Sequence, residues 1–166
     1  MTPWILPDGA TLLLRPIRPE DEPLIDEMYK TISEEAFHSR FFQAAKNASH
    51  EMHIRQCSID YDREMGIVAE TKEGDKRRIV GIGTLVADSG QKSGEYAVLV
   101  HDGYQGKGLG YKLVDVLIGI AQDKGLEEIY GIVLSNNRQM LNVSRKLGFV
   151  AEGLPDGMTK VKLLLK

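Results

Sequence analysis

The sequence predicts one α/β domain in which a mixed β-sheet is covered by helices on both faces. The first indication is a meander of three apolar segments joined by short turns, at 63–72, 78–88 and 94–101. The second is a helical stripe of apolar residues that follows a glycine-rich loop: Leu109, Leu113, Val116, Leu117 and Ile120. A strand that is apolar throughout its centre, at 127–135, indicates a sheet covered on both faces.

The remaining elements complete the order β-α-α-β-β-β-α-β-α-β-β. A first strand is expected at 10–18, and a helix over 20–32 follows it with acidic residues in its first turn. A second helix is expected from Ser49 to about Cys57. Near the C-terminus, Asn136 or Asn137 begins a helix that ends at Gly148. Two final strands are expected at 149–153 and 158–166.

Length, charge and cysteine content exclude several classes of protein. The 166 residues suit a single domain with its own core, which we assign to 1–166. A net charge of −3 gives no indication of a nucleic-acid-binding protein. Cys57 is the one cysteine, so no disulfide framework forms within the chain, and this fits a reducing compartment. The sequence has neither a signal-peptide pattern nor an apolar run near the ~20 residues of a membrane span, so we expect a cytoplasmic protein without membrane attachment.

The glycine-rich loop QGKGLG, residues 105–110, lies between a strand and a long helix. A Walker A loop needs Ser or Thr after its GK pair, and Gly108 stands there. A dinucleotide fingerprint needs a third glycine where Tyr111 or Leu113 stands. The remaining interpretation is a loop that brings an anion against the backbone amides of a helix start. The alternative is a glycine-rich turn without a ligand.

The pattern Gln105-x-x-Gly108-x-Gly110 resembles the acetyl-CoA loop of the GNAT acetyltransferase superfamily. A second signature of that superfamily also stands in order, from Asn137 through Met140 and Ser144 to Gly148 and Phe149. The resemblance covers about residues 10–155 and implies the GNAT fold, a mixed and mostly antiparallel sheet of about seven strands flanked by about four helices. It also implies acetyl-CoA as cosubstrate, with its pyrophosphate at the loop and no metal.

Three upstream segments, at 14–25, 39–42 and 59–70, resemble bacterial protein lysine acetyltransferases of the Pat type. That resemblance implies transfer of an acetyl group to the Nε-amine of an exposed lysine on a partner protein, with an acyl-CoA synthetase as one candidate partner. Two alternatives stay open. The chain could acetylate a small amine, because acceptor grooves diverge within one fold, or it could be a CoA-binding module without catalysis.

Glu95 is the residue that the resemblance implies as general base. It begins an otherwise apolar strand, and a carboxylate can deprotonate a lysine whose free pKa is ~10.4. Glu64 and Glu70 are its rivals. Ser144 stands where many members of the superfamily carry a tyrosine acid, so a serine hydroxyl or water is the candidate proton donor.

The other candidate site residues concern the cosubstrate and the acceptor. The resemblance implies that the backbone of residues 98–100 binds pantetheine and that Asn137 lies near the same arm. The predicted cosubstrate-binding residues are Val98, Leu99, Val100, Gln105, Gly106, Lys107, Gly108, Leu109, Gly110 and Asn137. Candidate acceptor-groove residues are Arg40, Phe41 and Phe42, and an acidic cluster that could receive a basic region of a protein substrate consists of Asp60, Asp62 and Glu64. His50 and His53 do not form an HExxH motif, so no metal site is expected.

Overall fold

The computed structural model describes residues 2–6, 9, 11–31, 64–88, 90 and 92–165. The predicted helix from Ser49 to Cys57 lies outside these residues, and so do the candidate acceptor-groove residues, Asp60 and Asp62 of the acidic cluster, and both histidines of the 50–53 segment. Within the described residues, the chain forms eight strands and three α-helices.

The strands are β1 (Thr2–Ile5), β2 (Thr11–Pro16), β3 (Glu64–Glu73), β4 (Lys76–Ala87), β5 (Ser93–Val100), β6 (Glu128–Leu134), β7 (Val150–Leu154) and β8 (Met158–Leu164). The helices are α1 (Glu22–Thr31), α2 (Leu109–Asp123) and α3 (Arg138–Lys146). Short 3₁₀ turns occupy Pro19–Asp21, Asp102–Tyr104 and Pro155–Gly157.

All eight strands form one mixed sheet in the order β1-β2-β3-β4-β5-β6-β8-β7. Neighbouring strands are antiparallel except β5 and β6, which are parallel. A parallel pair needs a crossover, and the segment that carries α2 supplies it. The predicted class, a mixed and mostly antiparallel sheet between helices, is confirmed.

The expected count of seven strands was too low, because β1 was not predicted. It contains Pro3 and only four residues, and it pairs on one side only, with β2. A short edge strand with a proline gives little sequence signal. The side chain of Trp4 nevertheless packs against the core of the α2 face.

The two faces of the sheet carry different helices. α1 packs on one face, where Ile25, Met28 and Tyr29 join a cluster with β3, β4 and β5. α2 packs on the other face, and α3 contacts α2 and β7. Glycines in β4 let α2 approach closely: a Cβ at Gly81 would lie 3.1 Å from Leu109 and Leu113 side chains. The start of α2 is thereby fixed against the sheet.

A buried ion-pair network joins β2, β3 and the turn before α1. The Arg15 guanidinium donates to both carboxylate oxygens of Asp21, at 2.7 and 2.8 Å, and to Glu70 Oε1 at 3.0 Å. Arg15 and Asp21 are 3% and 2% exposed. Burial alone would raise the pKa of Asp21, but hydrogen bonds from Arg15 and from the Arg18 backbone hold it below its ordinary value.

Candidate active site

The site begins where β5 and β6 separate. Their parallel pairing covers only Ser93–Glu128, Gly94–Ile129 and Glu95–Tyr130. Beyond that point β5 stays paired with β4 as far as Val100, while β6 stays paired with β8 as far as Leu134. Because β5 and β6 diverge while each stays paired with its other neighbour, a slot opens between them. Its closed end lies at Glu95.

Backbone groups of β5 line this slot. The N–H of His101 donates to the Val80 carbonyl of β4, so alternate residues such as Leu99 direct their peptide groups toward β4. The peptide groups of Val98 and Val100 therefore face the slot. The Val100 carbonyl already accepts a hydrogen bond of 3.2 Å from Gln105 Nε2. Val98 is the best placed of the three residues to pair with a peptide-like ligand.

The glycine-rich loop lies at the open end of the slot. Gly106 and Gly108 have positive φ of 75° and 88°, a conformation that favours glycine, and Gly108 is the N-cap of α2. The first hydrogen bond of α2 runs from Lys112 N–H to the Gly108 carbonyl, so the preceding amides have no partner within the helix. The first turn of α2 holds no acidic residue. An anion fits this helix start both sterically and electrostatically.

α3 forms the opposite side. Asn137 is its N-cap, and its Oδ1 accepts a hydrogen bond of 3.2 Å from the Met140 N–H. Between α3, the loop and β5 lies a cleft of about 500 Å³. Its lining residues are Val98, Leu99, Val100, Asp102, Gln105, Gly106, Gly108, Gly110, Tyr111, Asn136, Asn137, Arg138, Gln139, Met140 and Val143. We refer to this space as the splay cleft.

Glu95 lies at the closed end of the slot between β5 and β6, three residues before Val98, the first β5 residue that lines the splay cleft, and its side chain is exposed. Its neighbour Tyr130 is half-buried, and Lys160 places Nζ 4.8 Å from the Tyr130 ring centroid. Burial raises the pKa of the Tyr130 hydroxyl, and the negative charge of Glu95 and a hydrogen bond to its carboxylate raise it further. Tyr130 thus keeps its proton and can hold it toward Glu95.

Ser144 contacts Tyr96, whose side chain projects from the opposite face of β5 to that of Glu95. Ser144 is 1% exposed and its Oγ is 3.1 Å from the hydroxyl of Tyr96, which is itself 4% exposed. The Tyr96 ring meets Phe149 edge to face at 5.6 Å. Ser144 is not among the lining residues of the splay cleft. Its role as proton donor stays a prediction that this geometry does not favour.

Eight of the predicted cosubstrate-binding residues line the splay cleft: Val98, Leu99, Val100, Gln105, Gly106, Gly108, Gly110 and Asn137. Lys107 does not, because its Nζ lies over the Tyr104 ring at 5.4 Å from the centroid. The side chain of Leu109 is buried in the core, so only its amide could serve a ligand.

The two rivals of Glu95 lie on β3. Glu70 accepts a hydrogen bond of 3.0 Å from Arg15 and forms an ion pair with Arg77 at 3.5 Å. These contacts make it a structural carboxylate. Glu64 begins β3 opposite Val86, and Val86 lies opposite Glu95. The register therefore places Glu64 in line with Glu95, two strands away.

Sequence reasoning missed several lining residues, notably Tyr111, Arg138 and Gln139. Arg138 is exposed at the first position of α3, directly after the predicted Asn137, and supplies a cation beside the cleft. Its position next to the signature asparagine was the available signal. Asp102 also lines the cleft, so a bound anion meets one negative charge as well.

The family follows from the comparison with known proteins. Residues 11–150 match the family described as the acetyltransferase (GNAT) domain. An acetyltransferase of Pseudomonas aeruginosa is 34% identical over 160 residues, 95% of this chain and 86% of that protein. The chain therefore belongs to the GNAT acetyltransferases, whose cosubstrate is acetyl-CoA.

Solved structures show the same fold. The GNAT domain of S. lividans PAT superposes with a TM-score of 0.88 at 24% identity, covering 99% of this chain and 96% of that one. Spermidine N-acetyltransferase from Vibrio cholerae, solved with CoA and spermine, gives a TM-score of 0.72 at 20% identity over 92% of this chain and 95% of that one. These likenesses establish the architecture around the splay cleft.

Among the residues that the structure describes, no helix has the length and apolar character of a membrane span. In the same part of the chain, no three His, Cys, Asp or Glu side chains converge as a set of metal ligands would.

Proposed function

We propose that this chain transfers the acetyl group of acetyl-CoA directly to the Nε-amine of a lysine on a protein, with Glu95 as general base. The observation that supports the proposal is the position of Glu95 at the closed end of the slot between β5 and β6, while the glycine-rich helix start lies at the open end. An acyl donor anchored at its phosphates by the loop extends along β5 toward this carboxylate.

The chain's own groups account for each requirement of the transfer. The amides at the start of α2 and the Arg138 guanidinium hold the pyrophosphate. Val98 pairs with the pantetheine amides as an added strand would, and its N–H can polarise the thioester carbonyl. Glu95 takes a proton from the acceptor ammonium, directly or through water. The departing thiolate has a free pKa of ~8.5, so it needs little help from an acid.

Protein lysine is the proposed acceptor because the upstream segments resemble Pat-type enzymes. The exposed position of Glu95 agrees with a bulky acceptor that approaches from solvent. A small amine is the second candidate. An L-amino acid N-acyltransferase of Escherichia coli is 43% identical over 56 residues, which is 34% of this chain and 33% of that protein.

The test is to follow CoA release from acetyl-CoA with three kinds of acceptor: an acyl-CoA synthetase protein, polyamines and amino acids. We expect the protein to be acetylated on lysine. Glu95→Gln should lower kcat on the order of 10²-fold while the KM for acetyl-CoA changes little. Glu152→Gln is the matched control, since Glu152 is an exposed strand glutamate away from the cleft, on β7.

Each outcome discriminates between the candidates. Release that occurs only with polyamines or amino acids replaces the protein acceptor by a small amine. Full activity in Glu95→Gln removes the proposed base and directs attention to Glu64. Acetyl-CoA binding without transfer to any acceptor supports the non-catalytic module.

A further inference from the structure

Resting on the proposed function, we infer that Tyr96 and Ser144 form the end wall of the splay cleft and restrict the acyl group of the donor to about the size of acetyl. Neither residue is exposed to the cleft as a lining residue. Both lie directly behind the last lining residues, at the end of the cleft nearest Glu95.

The position of the wall follows from the lining residues. On β5 the lining ends at Val98, and the next residue that points to the same side of the sheet is Tyr96. On α3 the lining ends at Val143, and its neighbour in the chain is Ser144. The Tyr96 hydroxyl and Ser144 Oγ lie 3.1 Å apart and are buried, so β5 and α3 are joined at that point.

The wall also accounts for where the two strands separate. A Cβ on Gly131 of β6 would lie 2.6 Å from Cε1 and Cζ of Tyr96, so the Tyr96 ring occupies the space that a side chain at 131 would need. The pairing of β5 with β6 ends one residue earlier on each strand, at Glu95 and Tyr130. Tyr96 thus fills the space at the tip of the slot, and only glycine at 131 leaves room for it.

The orientation of the bound acyl-CoA explains why this wall would limit the size of the acyl group. Its phosphates lie at the glycine-rich loop, so its thioester lies near the closed end. The acceptor amine approaches from the face where Glu95 is exposed, while Tyr96 projects from the opposite face into the core of the α2 side. Acyl carbons beyond the carbonyl are therefore directed toward Tyr96. Its ring is held by Ser144, Gly131 and Phe149 and has little freedom to move.

The experiment measures binding, so it needs no acceptor. The full chain is titrated in a calorimeter with CoA, acetyl-CoA and butyryl-CoA. We expect the native chain to bind butyryl-CoA on the order of ten-fold more weakly than acetyl-CoA, because two extra methylenes meet a filled space. In Tyr96→Leu the two affinities should differ by no more than about two-fold, or butyryl-CoA should bind more tightly.

Two variants separate size from other effects. Tyr96→Phe keeps the ring and loses the hydroxyl, so it should retain the preference for acetyl-CoA. Tyr29→Leu makes the same large-to-small change at a buried tyrosine of α1, which is 1% exposed and lies on the other face of the sheet. It should lower stability and leave the ratio of the two affinities unchanged.

Failure of the inference is distinguishable from failure of the proposed function. A native chain that binds CoA but treats acetyl-CoA and butyryl-CoA alike overturns the end wall and leaves the acetyltransferase proposal intact. The same holds for a folded Tyr96→Leu that still rejects butyryl-CoA. A native chain that does not bind CoA overturns both. The native ratio is decisive even if Tyr96→Leu does not fold.

Discussion

Glu95 and Tyr130 form the last pair between the two parallel strands at the centre of the sheet, and the cleft opens beyond them. Burial, the negative charge of Glu95 and a hydrogen bond to its carboxylate raise the pKa of the Tyr130 hydroxyl, and Lys160 lies over the same ring. The separation of β5 from β6 and the proposed general base thus share one position in the fold.

Removing the Tyr130 hydroxyl should weaken turnover without weakening donor binding. In Tyr130→Phe the Glu95 carboxylate loses a hydrogen-bond donor beside it, so we expect kcat to fall by roughly three- to ten-fold. The KM for acetyl-CoA should stay constant, because the glycine loop and Val98 are untouched. Steady-state kinetics with a saturating acceptor measures both values.

Lys160→Gln is the matched control for that variant. It removes the cation over the Tyr130 ring but keeps the hydroxyl, so it should retain most of the native kcat. If Lys160→Gln loses as much activity as Tyr130→Phe, the position of the ring matters rather than its hydrogen bond. A native kcat in Tyr130→Phe contradicts the positioning role.

Replacing Gly108 should harm CoA binding beyond its effect on stability. Alanine at a φ of 88° is strained by about 1–2 kcal/mol, and its Cβ would lie 3.7 Å from the Trp4 ring beside the anion site. Gly74 has a φ of 66° in the β3–β4 turn with open space around it, so Gly74→Ala brings similar strain far from the cleft. Urea unfolding should give similar losses for both variants.

Calorimetric titration with CoA separates the two glycines. We expect Gly108→Ala to weaken binding by roughly ten-fold or more, since the phosphates must contact the backbone there. Gly74→Ala should bind as the native chain does. Equal affinity in both variants contradicts a phosphate site at the start of α2.

Most of the fold could be predicted from the sequence, because the patterns that mark its strands and helices are local. Strands β3 to β6 lie within about two residues of their expected positions, since apolar alternation and turn residues mark them. The N-cap of α3 is Asn137, one of the two asparagines expected there, and its side chain makes the capping hydrogen bond. The match to the GNAT family confirms the expected superfamily. What was missed has a different origin.

The missed features depend on contacts between residues far apart in the chain. β1 gains its stability from β2 and from the packing of Trp4, which four residues cannot reveal. The hydrogen bond between Tyr96 and Ser144 joins positions 48 residues apart, so the sequence could not show that the Ser144 hydroxyl is engaged. The Arg15–Glu70 pair spans 55 residues, and only the structure shows that Glu70 is engaged.

Breaking the buried Arg15–Asp21 pair should cost far more stability than breaking an exposed pair. Asp21→Asn leaves the 3% exposed Arg15 guanidinium with one carboxylate, Glu70, so we expect a loss of about 3–5 kcal/mol. Asp26→Asn is the control. It removes the charge from the Asp26–Lys30 contact of 2.9 Å at the surface of α1, and it should change the unfolding free energy much less than Asp21→Asn does, because water screens an exposed pair. Urea unfolding at neutral pH compares them, and similar losses would contradict a structural role for the buried pair.

Alkaline pH should destabilise the native chain through Tyr96. Burial raises the pKa of this hydroxyl above its ordinary value near 10, and the hydrogen bond with Ser144 only partly offsets that effect. Because the folded pKa is the higher one, the contribution to stability is fully present below about pH 10 and is lost as the pH rises through the folded pKa. In that window the unfolded chain releases a proton that the folded chain keeps.

The slope of this loss approaches about 1.4 kcal/mol per pH unit for one tyrosine. Urea unfolding between about pH 8 and pH 11 measures it.

Tyr96→Phe should be less stable than the native chain at pH 8 because Ser144 Oγ loses its buried partner, yet its stability should decline less steeply above pH 10. Tyr111→Phe is the control, since the Tyr111 side chain is 39% exposed and its ring already contacts water. A decline as steep in Tyr96→Phe as in the native chain would assign the alkaline loss to other groups, of which Tyr130 is the first candidate because its pKa is also raised.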